Sequence, residues 1–330
     1  MLKKRKTLRD IAKEAGVSVT SVSLYLNGKA EQYRLSKELC ARLQQILARE
    51  NFTPNVNARA MNAKRTNLIG CVLRDEIQNS FWADIFAGME KALSERGIHI
   101  LPTLSHASME NELTSFDFLR SKGVDAYIWV PIISPDGRKN VKKIMEYSQE
   151  RPVVSLTCHI PGMPGVCVDD TAGARLALEH LLALGHRKLA SFGKSFIFSR
   201  TNDFLSLAQK KGATCFLTDY VSEIIQAHRE GKVTAVFCFS DNWALELYKA
   251  CGEANIRIPQ DLSIVGYDNL PVSAYFLPGL TTIDQPKLEL GEETGKLLLE
   301  CLIDPTLKTQ LKLQPSLMQR DSTAAPGSRR

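Results

Sequence analysis

From Leu68 onward, short apolar runs typical of strands alternate with longer amphipathic runs typical of helices. The run LIGCVL, for example, precedes FWADIFAGMEKALSERG, and the run KLASFG follows AGARLALEHLLALG. Strands that alternate with helices of this length pair in parallel, and the helices cover both faces of the sheet. Because the alternation passes through two successive sets, we predict an α/β fold with two doubly wound parallel-sheet lobes.

The first 66 residues follow a different pattern. Apolar residues at helical spacing mark two short helices separated by Gly16, which permits a tight turn, and Ser18, which can cap the second helix. A third helix is expected from about Ser36 to Arg49. Three short helices around a small core are typical of a helix-turn-helix domain, whose second helix enters the major groove of DNA.

Charge supports a nucleic-acid partner for this N-terminal segment. Residues 1–66 contain 14 Lys and Arg against 5 Asp and Glu, whereas the remaining 264 residues contain 28 against 31. The net charge of +6 therefore hides a basic N-terminal segment and a slightly acidic remainder. Basic charge concentrated in one small domain is typical of proteins that bind nucleic acid.

The second helix is expected to expose Val19, Thr20 and Leu24, where a solvent face is normally charged. Apolar side chains on a reading helix can contact thymine methyl groups, and Thr20 can read a base edge through its hydroxyl. After Pro54 a short helix is expected to expose Met61. This helix is either a linker resting on the core or a wedge that inserts Met61 between base pairs from the minor groove.

Other classes of site are not indicated. FGKS lacks the earlier glycine of a phosphate-binding loop, since position 188 is Lys188, and no nucleophile elbow is present. His180 and His186 have no converging metal ligands, so no metal, cofactor or catalytic residue is expected. No apolar run of about 20 residues and no signal peptide occurs, and we expect a cytoplasmic protein without a membrane span.

Six segments, in this order, resemble the LacI/GalR family of bacterial transcriptional repressors: LRDIAKEAGVSVTSVSLYLNG, NFTPNVNARAM, NLIG, LGHRKLASFG, DLSIVGYDN and LTTIDQP. The resemblance implies a helix-turn-helix domain at 1–52, a hinge helix and linker at 53–67, and a periplasmic-binding-protein-like core of type I at 68–330, which binds effector and dimerises. Within the core, we expect lobe 1 at about 68–166 and 286–312, and lobe 2 at about 167–285 and 313–330.

The resemblance also implies which residues contact DNA. In the family, arginine usually occupies the position of Leu24 and reads guanine, so this chain departs from the usual operator sequence. The family's leucine wedge corresponds to Met61. The residues expected to contact DNA are Thr7, Ser18, Val19, Thr20, Ser21, Ser23, Leu24, Asn27, Asn55, Ala58 and Met61.

By the same resemblance, one small effector binds between the lobes. An arginine with carboxylates and aromatic rings suits a sugar or polyol, although Asp268 can also be a loop cap and Trp82 an ordinary core residue. The residues expected to contact ligand are Asn79, Phe81, Trp82, Asp169, Arg200, Asp241, Asp268 and Gln285. Two departures are Thr157, where many members have aspartate, and a short stretch after Arg200.

The expected function is a homodimeric repressor, not an enzyme, that binds a pseudo-palindromic operator in double-stranded DNA with an affinity controlled by a small molecule, a sugar in the first instance. The segment MEKALSERG and the helix around Leu297 to Cys301 are candidate dimer faces, and the tail DSTAAPGSRR is expected to be disordered. Three alternatives are a sugar kinase with a DNA-binding domain, a transport solute-binding protein, and a family member whose ligand is a corepressor such as a purine.

Overall fold

The computed structural model describes residues 6–26, 28–50, 52, 65–74, 80–132, 138–193 and 199–327. The chain forms two compact units, residues 1–66 and residues 67–330. Among the described helices, none is both long and apolar enough to cross a bilayer.

The first unit contains the three predicted helices, α1 Leu8–Ala15, α2 Val19–Leu26 and α3 Lys37–Arg49. Thr7 and Asp10 cap the start of α1 reciprocally, and α1 ends at Gly16, whose φ of 65° is the left-handed conformation that favours glycine. Ser36 caps α3 by accepting a hydrogen bond from the Leu39 amide at 3.2 Å. The helices enclose a small apolar core of Ile11, Ala12, Ala15, Val22, Leu43 and Ile46.

The second unit is built from alternating strands and helices, as the apolar pattern predicts. Its strands are β1 Leu68–Leu73, β2 His99–Leu104, β3 Ala126–Trp129, β4 Val153–Leu156, β5 Gly165–Val168, β6 Lys188–Phe192, β7 Thr214–Thr218, β8 Ala235–Cys238, β9 Ser263–Asp268, β10 Thr281–Asp284, β11 Gln310–Leu313 and β12 Ser316–Met318. Its helices are α4 Phe81–Ser94, α5 Met109–Ser121, α6 Arg138–Glu150, α7 Asp170–Ala183, α8 Ser199–Lys210, α9 Val221–Arg229, α10 Asp241–Glu253 and α11 Lys287–Ile303, with a short 3-10 helix at Pro271–Tyr275.

The strands form two six-stranded sheets, one in each lobe. The order in lobe 1 is β11-β5-β4-β3-β1-β2, and the order in lobe 2 is β12-β10-β9-β8-β6-β7. All pairs are parallel except β10 with β12. The chain therefore crosses between the lobes three times: after β5, after β10 and between β11 and β12. Parallel sheets place their carboxyl ends along one edge, where ligands bind in such folds.

Helices α4 and α11 pack against each other within lobe 1. A Cβ on Gly88 would lie 2.1 Å from the carbonyl oxygen of Leu288, and a Cβ on Gly291 would lie 2.0 Å from that of Ile85, so both glycines permit close backbone approach. Leu297, Leu298 and Cys301 are buried in the same core. The prediction that this helix face dimerises is therefore wrong, because lobe 1 already covers it.

The prediction of a disordered tail is also wrong for the described residues up to Gly327. The Ser322 hydroxyl is fully buried, donates to the Ile264 carbonyl at 2.5 Å and accepts from the Thr281 amide at 2.8 Å. His186 lies beneath the tail, with Nε2 2.8 Å from the Ala324 carbonyl oxygen. Small polar residues look disordered in sequence, but here they satisfy polar groups that lobe 2 would otherwise bury unpaired.

Candidate functional site

The exposed face of α2 carries the residues predicted to read bases. Val19 is 41% exposed although it is apolar, Thr20 is exposed, and Leu24 is half-buried. Val22, on the opposite face, is fully buried in the core. The burial pattern therefore presents the predicted side chains to solvent at the start and middle of one short helix.

The polar residues near α2 already make local hydrogen bonds. The Ser18 hydroxyl accepts from the Ser21 amide at 3.1 Å and lies 2.9 Å from the Ser21 hydroxyl, as expected for a helix cap. The Thr7 hydroxyl donates to Asp10 at 2.8 Å in the cap of α1. Ser23 is half-buried on α2. Asn27, Asn55, Ala58 and Met61 lie outside the described residues, as does most of the predicted hinge segment.

Positive charge in the first unit divides into paired and unpaired groups. Lys6 and Arg49 form ion pairs with Glu14 and Glu50, which tie α1 to α3. The Lys6 ammonium, as the largest of several causes, holds the pKa of Glu50 below its ordinary value. Seven further cations make no ion pair with a described residue and leave their charge available to a polyanion: Arg9, Lys13, Lys29, Arg34, Lys37, Arg42 and Arg65.

In the second unit, Arg200 is the centre of a polar cluster in lobe 2. Its guanidinium lies between two carboxylates, 3.1 Å from Asp170 Oδ1 and 3.4 Å from Asp268 Oδ1, and donates to the Phe239 carbonyl at 3.3 Å. It also stacks on Tyr267, with the guanidinium carbon 3.9 Å from the ring centroid. The side chain is 12% exposed, and Nε has no hydrogen-bond partner among the described residues. Burial alone would lower the pKa of Arg200, but Asp170, Tyr267 and Asp268 raise it above the ordinary value.

Asp268 ends β9 in an unusual conformation. Its φ of 105° lies in the region that favours glycine, so neighbouring contacts must hold the backbone there. Gln285 Nε2 donates to Asp268 Oδ1 at 2.6 Å, and Lys287 Nζ donates to the Asp268 carbonyl at 2.5 Å. Burial raises the pKa of the Asp268 carboxyl to about 6, although Arg200, Gln285 and Lys287 act to lower it.

Of the predicted ligand residues, the structure therefore brings Arg200, Asp268 and Gln285 together. Phe81 is half-buried at the start of α4, in lobe 1. Asp169 caps α7 by accepting from the Ala172 amide at 3.0 Å. Asn79 lies outside the described residues.

Two predicted contacts are wrong as the structure places them. Trp82 is 2% exposed in the core of lobe 1, where its ring meets Phe81 edge to face. Asp241 is fully buried, and its carboxylate accepts from the Leu270 amide at 2.7 Å and the Thr282 hydroxyl at 2.6 Å. Burial raises the pKa of Asp241 to about 7. Both side chains stabilise their own lobe and offer no free face to a ligand.

Sequence reasoning missed residues that lie next to predicted ones. Asp170 follows the predicted Asp169, and it is Asp170 that forms the ion pair with Arg200. Tyr267 precedes the predicted Asp268, and Arg200 stacks on its ring. The Tyr267 hydroxyl also donates to Asp170 at 2.9 Å. The two consecutive aspartates in the sequence VDD, Asp169 and Asp170, were the feature of the sequence that could have indicated Asp170.

The cluster suits a neutral ligand with several hydroxyl groups. Two carboxylates accept hydrogen bonds, one guanidinium donates them, and a single positive charge faces two negative ones, which disfavours an anionic ligand. Among the described residues, no group of three or more His, Cys, Asp and Glu side chains is arranged to bind a metal ion.

Models of known protein families match most of the chain. Residues 7–55 match the model of bacterial regulatory proteins of the lacI family, residues 66–198 match periplasmic binding proteins and the sugar-binding domain of the LacI family, and residues 178–323 match a periplasmic binding protein-like domain.

Individual relatives match over nearly their full length. The chain is 31% identical to the HTH-type transcriptional regulator DegA of Bacillus subtilis, over 96% of this chain and 98% of DegA. It is 28% identical to the ribose operon repressor of Haemophilus influenzae, over 96% and 98% of the two chains. The structure of the lac repressor dimer bound to operator and the anti-inducer ONPF matches with a TM-score of 0.86 and 25% identity, over 98% of this chain and 100% of that one. The α/β fold, the helix-turn-helix pattern and these full-length matches agree: this chain belongs to the LacI family of bacterial transcriptional regulators.

Proposed function

We propose that this protein is a sequence-specific repressor whose affinity for its operator is set by a small polyhydroxylated molecule, a sugar in the first instance, bound beside Arg200 and Asp268. The observation that carries the ligand class is the guanidinium held between Asp170 and Asp268. A sugar hydroxyl can donate to these carboxylates and accept from the arginine at the same time. The ribose operon repressor among its relatives supports a sugar as the first class to test.

On the DNA side, the apolar reading face supports an operator with A·T pairs in each half-site. Val19 and Leu24 offer methyl groups but no hydrogen-bond donors, so thymine methyls are their natural contacts in the major groove. Ser21, Ser23 and the unpaired cations supply phosphate contacts, which position the domain without reading sequence. Met61 completes the proposal as a minor-groove wedge between the two half-sites.

The proposal is tested by fluorescence anisotropy with the DNA that flanks the gene, at two salt concentrations. The panel of ligands contains pentoses, hexoses, disaccharides and nucleobases. Tight, sequence-selective binding that one sugar weakens supports the proposal, whereas strengthening by a nucleobase would identify a corepressor instead. Weak binding that salt abolishes for every sequence would contradict a repressor, because non-specific binding is almost wholly electrostatic.

A homodimer forms part of the proposal, since a pseudo-palindrome presents two half-sites. The candidate surface, here called the 272–277 patch, contains Val272, Tyr275 and Leu277, of which Tyr275 is 82% and Leu277 93% exposed. Exposed apolar side chains concentrated in one short segment are typical of an interface. A relative solved as a dimer on operator supports a second copy of this chain as the occupant.

Placing charges on the 272–277 patch should weaken the dimer. For the double variant Tyr275→Asp and Leu277→Asp, we expect the dimer dissociation constant to rise by at least about 100-fold, because two carboxylates per subunit would lose water at the interface. Analytical ultracentrifugation measures this directly. Ile303→Asp, a matched change at an 84% exposed residue of lobe 1, should leave the dimer intact. If the double variant remained dimeric, the dimer interface would have to lie on another surface of the protein.

Ligand affinity should depend on pH through Asp268. Its pKa of about 6 means that it accepts hydrogen bonds as a carboxylate above pH 7 and takes up a proton as the pH falls through 6. We therefore expect affinity for the sugar that the panel identifies to fall about tenfold between pH 7 and pH 5 and to be constant above pH 7. Calorimetric titrations at pH 5, 6, 7 and 8 measure this. A flat profile would show that the ionised form of Asp268 is not required.

A further inference from the structure

Lys287 has a buried ammonium group that the proposed ligand contacts do not use. Only 7% of the residue is exposed. Its Nζ donates to the Asp268 carbonyl at 2.5 Å and lies 3.4 Å from the carbonyl oxygens of Asn269 and Gln285 and 3.5 Å from Asp284 Oδ1. Three carbonyls and a carboxylate replace the water that the ammonium loses on burial.

The helix does not explain this position. Lys287 is the first residue of α11, and positive charge at a helix N-terminus opposes the helix dipole. The favourable interactions therefore come from the loop after β9 and from residues 285–287, here called the link, which join β10 to α11. They do not come from the dipole of α11.

The same link holds Asp268 at two points. Gln285 binds its carboxylate, Lys287 binds its backbone carbonyl, and the two residues are separated only by Pro286. Because Asp268 has a φ of 105°, it needs such support to keep its carboxylate beside Arg200. Asp268 Oδ1 faces both Arg200 and Gln285, so a ligand that binds this oxygen also changes the contact with the link.

At its other end, the link joins a helix that belongs to lobe 1. Gly88 and Gly291 let α11 lie directly against α4, so α11 follows the position of lobe 1. An open cavity of about 600 Å³ beside the link has walls from both lobes, including Glu292 of α11 and Arg320 of the C-terminal segment. The lobes are thus separated by open space here, and residues 285–287 cross it.

We propose that Lys287 is a positioning residue that holds Asp268 in its ligand-binding conformation and transmits changes at Asp268 to α11, and so to lobe 1. This inference rests on the proposed ligand role of Asp268. A sugar that attracts Asp268 Oδ1 away from Gln285 shifts the strained residue, and the Lys287 ammonium carries the shift across the link. Without the ammonium, the Gln285 side chain would be the remaining contact of the two, and the connection between the ligand site and lobe 1 would be weaker.

The first test is amide hydrogen exchange in the full-length Lys287→Met variant, which keeps the aliphatic stem and removes the charge. We expect exchange to accelerate about tenfold in two segments together, residues 268–274 of lobe 2 and residues 287–292 of α11, with little change elsewhere. The matched control is Lys296→Met on the same helix, whose side chain is exposed and paired with Glu293, and it should change neither segment. If Lys287→Met does not fold, Lys287→Gln is measured in the same way.

Acceleration confined to residues 268–274, or absent from both segments, would overturn the proposal, because Lys287 would then support only its own loop or nothing. This test needs neither DNA nor ligand, so its outcome does not depend on whether the proposed function is correct.

The second test uses operator affinity with and without the panel of sugars and nucleobases, whose members include D-ribose. In the wild type, the ratio of the operator affinity without sugar to the operator affinity at saturating sugar measures the coupling between ligand binding and operator binding. Lys287→Met should reduce this ratio at saturating sugar at least fivefold, which a loss of stability alone would not do. An unchanged ratio would overturn the coupling role. A wild type that responds to no compound would count against the proposed function and not against the exchange result.

Discussion

Replacing Arg200 by alanine should abolish the response to sugar while leaving operator binding intact. The guanidinium supplies the donors between Asp170 and Asp268, and its removal leaves two carboxylates facing one another without the cation that neutralises them. Truncating one partner of a buried, hydrogen-bonded charge pair costs about 2–5 kcal/mol, so we expect sugar affinity to fall at least about 30-fold. The measurement is operator anisotropy across a titration of the sugar that shifts the wild type.

The control for this variant is Arg257→Ala, also in lobe 2. Arg257 makes a surface ion pair with Asp261 at 2.7 Å and is largely exposed, so its loss should change neither sugar affinity nor the operator response. Circular dichroism establishes that both variants fold. A normal sugar response in folded Arg200→Ala would show that the ligand binds elsewhere.

The second large effect is expected from Leu24→Arg. The half-buried Leu24 offers only apolar contact, whereas arginine donates two hydrogen bonds to guanine. We therefore expect specificity at one position in each half-site to change from A·T toward G·C. Because each correct base pair contributes about 1–3 kcal/mol, two half-sites change the preference by about 2–6 kcal/mol, a factor of about 30 to 20,000. Selection from a randomised operator library, followed by anisotropy with the selected sequences, measures the change.

Added charge must be separated from base reading in this experiment. Gln44→Arg adds the same charge on the exposed face of α3 and should strengthen binding to all sequences alike. If Leu24→Arg also strengthened every sequence equally, Leu24 would not contact bases, and the apolar face of α2 would need another explanation.

The periodicity of the sequence was enough to predict the elements and the fold class. Helix α3 lies at Lys37–Arg49, close to the predicted range of about Ser36 to Arg49, and it begins directly after its Ser36 cap. These predictions succeed because periodicity and capping act within a few residues along the chain. Errors occurred where burial against distant residues decided the outcome: the tail at Ser322 and the face of α11 look exposed in sequence, but lobe 2 and helix α4 cover them.

In the candidate ligand site, too, some residues could be predicted from the sequence and others could not. Arg200, Asp268 and Gln285 were found through the family resemblance, and the structure brings them together although they are far apart in the chain. Local sequence could not separate Asp169 from Asp170, since a helix cap and an ion-pair partner use the same residue type. Nor could it distinguish the buried Asp241, which supports a loop, from Asp268, which faces Arg200.

By itself, therefore, the sequence determined the helix-turn-helix unit with its exposed apolar face, the two parallel-sheet lobes and the family. These properties depend on local spacing, capping and residue type. Only the tertiary structure decided which carboxylates hold Arg200, that Trp82 belongs to the core, and that Lys287 connects Asp268 to α11. Each of these contacts depends on which distant side chains are buried together in the folded protein. A polar group buried at low dielectric needs a hydrogen bond or an ion pair to offset the loss of water.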